Sequence, residues 1–134
     1  MAAEAVENPQ VAKPEVEQFA LVLAQEALDK KALEPVLLDA TGLSAYADYF
    51  LLLSASNERQ VSALADSLER KAKKEGHRPL GTEGATGSRW VLIDLGEVVV
   101  HVFHEEARYH YDLDGLWADA RRVSIPGAPP RPAF

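Results

Sequence analysis

Residues 89–106 read RWVLIDLGEVVVHVFHEE, and this stretch decides the fold because it predicts a β-hairpin with Gly96 in the turn. Successive side chains of a strand point to opposite faces of its sheet. One face of the hairpin is aliphatic and carries Val91, Ile93, Leu95, Val98, Val100 and Val102. The other face is mixed and carries Trp90, Leu92, Asp94, Val99, His101 and Phe103. The first set predicts an ordinary core, so the open question is the role of the second.

The turn sets the register of the hairpin. A turn at Gly96-Glu97 puts glycine first, as a type II′ turn prefers, and predicts Trp90 opposite Phe103. A turn one residue earlier places Asp94 opposite Glu97, a like-charge pair that costs stability. Both turns have two residues, so both registers keep the same two faces. Only a loop with an odd number of residues would mix the faces, because a slip of one residue in the pairing inverts a strand.

The rest of the chain alternates helical and strand patterns. In chain order we expect a helix over 15–31, strands over 35–40 and 49–56, a capped helix over 57–76, the hairpin, and two short helical pieces over 104–120 broken near Asp112. This order predicts a mixed α+β fold, in which helices pack against a mixed sheet of four or five strands.

The 134 residues fit one domain flanked by two tails. Residues 1–13 are small and unpatterned, which predicts a disordered lead-in, and residues 14–120 form the domain. Residues 121–134 are rich in proline, so we expect them to form a C-terminal tail without regular structure.

Composition and net charge limit the classes of protein to which the chain can belong. The chain has no Cys and no apolar run long enough to span a membrane, and its first residues lack a secretory or transit pattern, so we expect a soluble cytoplasmic protein. The net charge of −7 argues against a dedicated nucleic-acid site, which needs Lys and Arg facing phosphates. Such a charge is compatible with a basic protein partner, although many soluble proteins are acidic for solubility alone.

A metal site and a catalytic carboxylate pair both find little support. His101, His104 and His110 have no Cys among them and no recognisable ligand spacing, so hydrogen-bonding roles are favoured over a metal. Asp112 and Asp114 stand at a predicted helix start, where Asp serves the helix dipole, and not on a rigid strand. We therefore predict no catalytic residue, no metal and no cofactor.

A nucleotide-handling enzyme stays open as the alternative. Ser54, Ser56 and Asn57 lie between a strand and a helix N-terminus, where an anion could bind, but simple N-capping explains them as well. The glycines at 81, 84 and 87 follow a helix and precede a strand, which is the wrong context for a phosphate loop.

The mixed face of the hairpin has two interpretations. Trp90 and Phe103 could lie beneath the C-terminal helix, covered by Tyr111, Leu116 or Trp117, and composition alone favours this burial. The same face could instead be open and bind a protein, since interface cores are enriched in aromatic residues within a polar rim.

Three segments together resemble the ribosomal silencing factor family, also called the RsfS or Iojap-like family. They are LLDATGLSAYADYFLLLSASNERQVSALAD at 37–66, RPLGTEG at 78–84 and RWVLIDLGEVVVHVFHEEARYHYDLDGLW at 89–117. The pattern of Trp, apolar residues, Asp, Gly, an acid, an apolar run, His, Phe and two Glu is specific. With the first helix, the resemblance covers about residues 15–119.

The resemblance implies a non-catalytic protein that binds the large ribosomal subunit through ribosomal protein L-fourteen. Bound there, members block joining of the small subunit and lower translation, notably when nutrients are scarce. Their fold is similar to a nucleotidyltransferase core without its catalytic carboxylates. Members often crystallise as dimers, so a homodimer that uses the same face is a further alternative.

The resemblance also implies which residues bind the partner, and it favours docking over burial of the mixed face. Trp90 matches the family tryptophan linked to docking. The other predicted partner-binding residues are Asp94, His101 and Phe103 on the same hairpin face, Glu83 beside it, and Tyr111 and Trp117 near the C-terminus.

Overall fold

The computed structural model describes residues 13–84 and 89–129. The helices are α1 (Pro14–Asp29), α2 (Glu58–Lys74), α3 (Glu105–Tyr111) and α4 (Leu113–Leu116). The strands are β1 (Leu33–Asp39), β2 (Tyr49–Ala55), β3 (Gly81–Glu83), β4 (Trp90–Asp94), β5 (Val98–His104) and β6 (Arg121–Val123). No helix within these ranges is long and apolar enough to cross a bilayer.

The strands form one mixed sheet in the order β3-β4-β5-β2-β1-β6. The β2–β5 pair is parallel and the other pairs are antiparallel. The predicted mixed α+β class is confirmed, but the sheet has six strands instead of the four or five that were predicted. The strands that the sequence pattern did not reveal are β3 and β6, which have three residues each. They lie at the two edges of the sheet, where so short a segment shows no alternation of apolar and polar residues.

Helices α1 and α2 cover one face of the sheet and close the main core. The aliphatic face of the hairpin lies in this core, with Val91, Ile93, Val98, Val100 and Val102 buried and Leu95 packed at its border. Every residue of β2 is buried, as expected for a strand covered on both faces.

Both ends of α2 are capped, as expected for the capped helix predicted over 57–76. The Asn57 side chain accepts a hydrogen bond from the Gln60 backbone N–H at 2.8 Å. The Gln60 side-chain oxygen reaches back and accepts a hydrogen bond from the N–H of Ser56 at 3.0 Å. Gly76 follows the helix with a φ of +89°, a left-handed conformation that glycine adopts without strain.

The C-terminal boundary predicted at residue 120 is wrong, because residues 121–123 form β6 and pair with β1. The guanidinium of Arg121 holds the strand in place. Its Nη2 lies 2.9 Å from an oxygen of the fully buried Asp39 and 2.6 Å from an oxygen of Glu17. Further on, Ile125 is buried in the main core. The predicted N-terminal tail lies outside the described residues apart from Lys13, which contacts Asp48.

Candidate functional site

The hairpin has the register predicted from the Gly96-Glu97 turn. Trp90 pairs with Phe103 and Asp94 pairs with Val99, so the mixed face contains the six predicted residues. The turn is closed by a hydrogen bond of 2.9 Å from the N–H of Leu95 to the carbonyl of Val98. Gly96 has a φ of +88°, as its place in the turn requires.

The mixed face is only half covered. Toward β1 and β2 it is a second core, in which Trp117 stacks on Phe50 with ring centroids 5.1 Å apart. On β5 the mixed-face residues are buried, namely Val99, His101 and Phe103. On β4 they are only partly buried, namely Trp90, Leu92 and Asp94. The uncovered part of the sheet therefore lies at β4 and β3.

Trp90 is the centre of a group of rings on this face. Its indole lies 4.5 Å from the ring of Tyr111 and 5.0 Å from the ring of Phe103, measured between centroids. The indole Nε1–H donates a hydrogen bond of 3.1 Å to Nδ1 of His101. We use the name open face for the exposed part of this surface, which is formed by Glu83, Trp90, Leu92 and Tyr111.

The predicted partner-binding residues thus divide into accessible and inaccessible ones. Phe103 is fully buried, so in this fold it supports Trp90 and cannot touch a partner directly. Trp117 packs on Phe50 and belongs mainly to the second core. Tyr111 is 52% exposed, although its ring lies against Trp90. Of the three residues considered as a cover for Trp90, Tyr111 lies against its ring. Leu116 is exposed, and Trp117 packs on Phe50 instead.

The two predicted acidic residues have different surroundings. Asp94 accepts a hydrogen bond from the N–H of Gly96 at 2.9 Å, so its carboxylate holds the hairpin turn. Glu83 is exposed on β3, where its backbone pairs with that of Leu92. Gly84 has a φ of +108°, and a Cβ there would come within 2.8 Å of the carbonyl oxygen of Trp90. Glycine is therefore needed where the chain leaves β3 beside Trp90.

A further polar rim borders Trp90 on the side of α3. The guanidinium of Arg89 lies 3.0 Å from a carboxylate oxygen of Glu106 and 3.9 Å from one of Glu58. A shallow cleft runs between Arg89, Trp90, Glu106 and the end of α3. Two carboxylates share one guanidinium here, so the rim is acidic.

Burial explains the protonation state of His101. His101 is 7% exposed, and desolvation by burial lowers its pKa to about 4. At neutral pH the imidazole is therefore uncharged, which agrees with Nδ1 accepting the Trp90 hydrogen bond.

The residues considered for metal or nucleotide chemistry have structural partners. His104 accepts from the N–H of Glu106 and caps α3. Asp112 caps α4 from a left-handed conformation, with a φ of +50°. In residues 13–84 and 89–129 no group of three or more His, Asp or Glu is arranged to hold a metal. At the β2–α2 junction, the Ser56 hydroxyl donates a hydrogen bond of 2.8 Å to the side-chain oxygen of Gln60.

Arg108 is the important residue that the sequence did not reveal. It is 3% exposed, and two of its nitrogens contact the carboxylate of Asp114 at 2.8 and 3.0 Å. Another nitrogen donates to the hydroxyl of Ser54 at 2.9 Å. Because Arg108 anchors α3 to β2, it fixes the helix that places Tyr111 on Trp90. An arginine within a polar helical segment gives no sequence signal for such burial.

Comparison with known proteins identifies the family. The family model described as "Ribosomal silencing factor during starvation" matches residues 13–133. The chain belongs to the ribosomal silencing factor family. The predicted family is thus confirmed, and the match continues through β6, beyond the boundary at residue 120 expected from the sequence.

Individual RsfS relatives are similar over most of their length. The ribosomal silencing factor RsfS of Halalkalibacterium halodurans is 46% identical over 111 residues, covering 82% of this chain and 95% of the relative. The RsfS of Bacillus subtilis is 45% identical over 101 residues, covering 75% and 86%. A crystal structure of a Chromobacterium violaceum protein superposes with a TM-score of 0.74 at 30% identity, covering 84% of this chain and 92% of that one.

Proposed function

We propose that this RsfS-family protein binds the large ribosomal subunit through ribosomal protein L-fourteen. It acts in the cytoplasm as a non-catalytic repressor, which sterically keeps the small subunit from joining and so lowers translation. Membership of a family named for ribosomal silencing supports the regulatory role. The observation that carries the choice of surface is Trp90, a large aromatic residue only partly buried on an uncovered part of the sheet.

The chemistry of the open face suits a protein partner. Trp90 and Leu92 offer apolar area that a partner can remove from water, while exposed Glu83 lies at its edge. Aromatic anchors of this kind carry much of the energy of protein interfaces, and truncating one costs about 2 kcal/mol or more. Trp90 is therefore the contact expected to dominate binding.

The charge around the open face indicates a basic partner. Glu83 lies on one side of this face, and on the other side Glu58 and Glu106 both lie near the guanidinium of Arg89. The chain as a whole carries a net charge of −7, which has the same sign as these carboxylates. Such a surface attracts the lysine and arginine side chains of a ribosomal protein and speeds encounter more than it raises affinity.

The direct test is binding of a Trp90→Ala variant to purified large subunits. We expect a loss of affinity of about 30-fold or more, corresponding to about 2 kcal/mol. Tyr46→Ala is the matched control, since Tyr46 is 87% exposed in the loop before β2, at the end of the sheet opposite Trp90. Equal binding by both variants, with folding verified by circular dichroism, would remove Trp90 from the interface.

Subunit joining is tested separately. Adding the protein to mixed small and large subunits should lower the yield of whole ribosomes in a sucrose gradient, and the Trp90→Ala variant should not. Light scattering over a dilution series reports self-association. A dimer that formed through the open face would compete with the large subunit for the same residues.

A further inference from the structure

The side chain of Trp90 is held by a single directional contact in addition to its packing. The indole has one hydrogen-bond donor and no acceptor, and that donor points to Nδ1 of His101 at 3.1 Å. The two residues lie on neighbouring strands, β4 and β5, whose backbone pairing is regular along the hairpin. The acceptor therefore sits on a rigid element, as needed to fix the rotation of the indole ring.

His101 is poorly placed to contact a partner itself. It is 7% exposed, its ring stacks on Phe103 with an interplanar angle of 11°, and the ring of Phe50 lies 6.0 Å away. Such surroundings explain why a histidine is tolerated here only in its neutral form. Its Nδ1 lone pair is occupied by the indole of Trp90.

Helix α3 restrains the indole from another direction. The ring of Tyr111 lies 4.5 Å from that of Trp90, and Arg108 anchors the same helix to Ser54. Trp90 is thus held between the sheet and a fixed helix, while part of its surface stays exposed.

We propose that His101 is a positioning residue for partner binding. It accepts the indole N–H and keeps Trp90 in the orientation that the partner meets, without touching the partner. A side chain already held in its bound orientation loses less rotational freedom on association, and so binds more tightly. The inference rests on the proposed docking role of Trp90, and it reassigns His101, which the sequence placed in the contact surface itself.

Two substitutions separate the acceptor from the packing of the ring. His101→Asn keeps an acceptor oxygen bonded to Cγ, where Nδ1 is bonded, but loses most of the ring volume. His101→Phe keeps an aromatic ring of similar size but has no acceptor. If His101 only fills space, the Phe variant should bind better than the Asn variant. If it positions Trp90, the order is reversed.

We expect His101→Phe to bind large subunits about tenfold more weakly than wild type, in line with the loss of one neutral hydrogen bond. His101→Asn should bind closer to wild type. Affinities are compared at equal folded fraction, measured by thermal unfolding. His101→Gln offers a second acceptor-bearing side chain if the Asn variant does not fold.

The indole N–H signals in a nitrogen–proton NMR spectrum give an independent readout. The chain has two tryptophans, so Trp117 serves as the internal reference. In His101→Phe the Trp90 signal should shift and exchange faster with solvent, while the Trp117 signal stays in place.

The outcomes are distinct. If Trp90→Ala abolishes binding but His101→Phe binds like wild type, or better than His101→Asn, the positioning role is overturned and the proposed function stands. If wild type itself does not bind large subunits, the proposed function fails and this inference fails with it.

Discussion

The buried histidine His101 should make the stability of the fold fall at mildly acidic pH. Its pKa is lowered to about 4 by burial, from 6.5 for an exposed imidazole. Between these two values the unfolded chain binds a proton that the folded chain does not. The free energy of unfolding is therefore not reduced by His101 above about pH 6.5, and it falls as the pH is lowered from there toward 4.

The size of this effect follows from the difference in pKa. A difference of about 2.5 units, at 1.36 kcal/mol for each unit, amounts to about 3 kcal/mol of unfolding free energy lost by pH 4. This is a large fraction of the stability of a small domain.

Urea unfolding followed by circular dichroism, at several pH values between 7 and 4, measures the loss. Because carboxylates also titrate at the lower end, the relevant quantity is the difference between wild type and His101→Phe, which has no ionisable group there. The gap between the two curves should change by about 3 kcal/mol across this range. Parallel curves would mean that His101 accepts a proton in the folded protein as easily as in the unfolded chain, and would refute the reasoning from burial.

Substitutions at three further positions probe other features by urea unfolding. Arg121→Met leaves the fully buried Asp39 without its cation and should lower the unfolding free energy by about 3 kcal/mol. Gly84→Ala should cost more than 1 kcal/mol, because the residue has a φ of +108° and its Cβ would meet the Trp90 carbonyl. Asn57→Ala removes the N-cap of α2 and should cost about 1 kcal/mol, whereas Asn57→Asp should cost little; equal losses would refute the cap.

The hairpin shows why part of this fold could be predicted from the sequence. Alternating side chains and a glycine at the turn fix both its faces and its register, and Trp90 lies opposite Phe103 as expected. The helix predicted over 57–76 could be read in the same way, because its buried residues recur with helical periodicity and Gly76 can take the left-handed conformation that ends a helix.

Features that depend on contacts between distant residues could not be predicted. Strand β6 is recognisable only through its pairing with β1 and through the Arg121–Asp39 ion pair. Which aromatic residue covers Trp90 depends on the left-handed Asp112, which ends α3 and starts α4. This turn leaves Tyr111 beside Trp90 and takes Trp117 to Phe50, a division that spacing along the chain does not encode.

The Arg121–Asp39 ion pair also bears on the way the protein is made. Asp39 belongs to the first strand of the sheet, while its cation is supplied by the last strand. A nascent chain emerging from the exit tunnel therefore carries an uncompensated carboxylate in β1 until residue 121 has been released. The sheet should therefore close around Asp39 late in synthesis, after β6 becomes available to pair with β1.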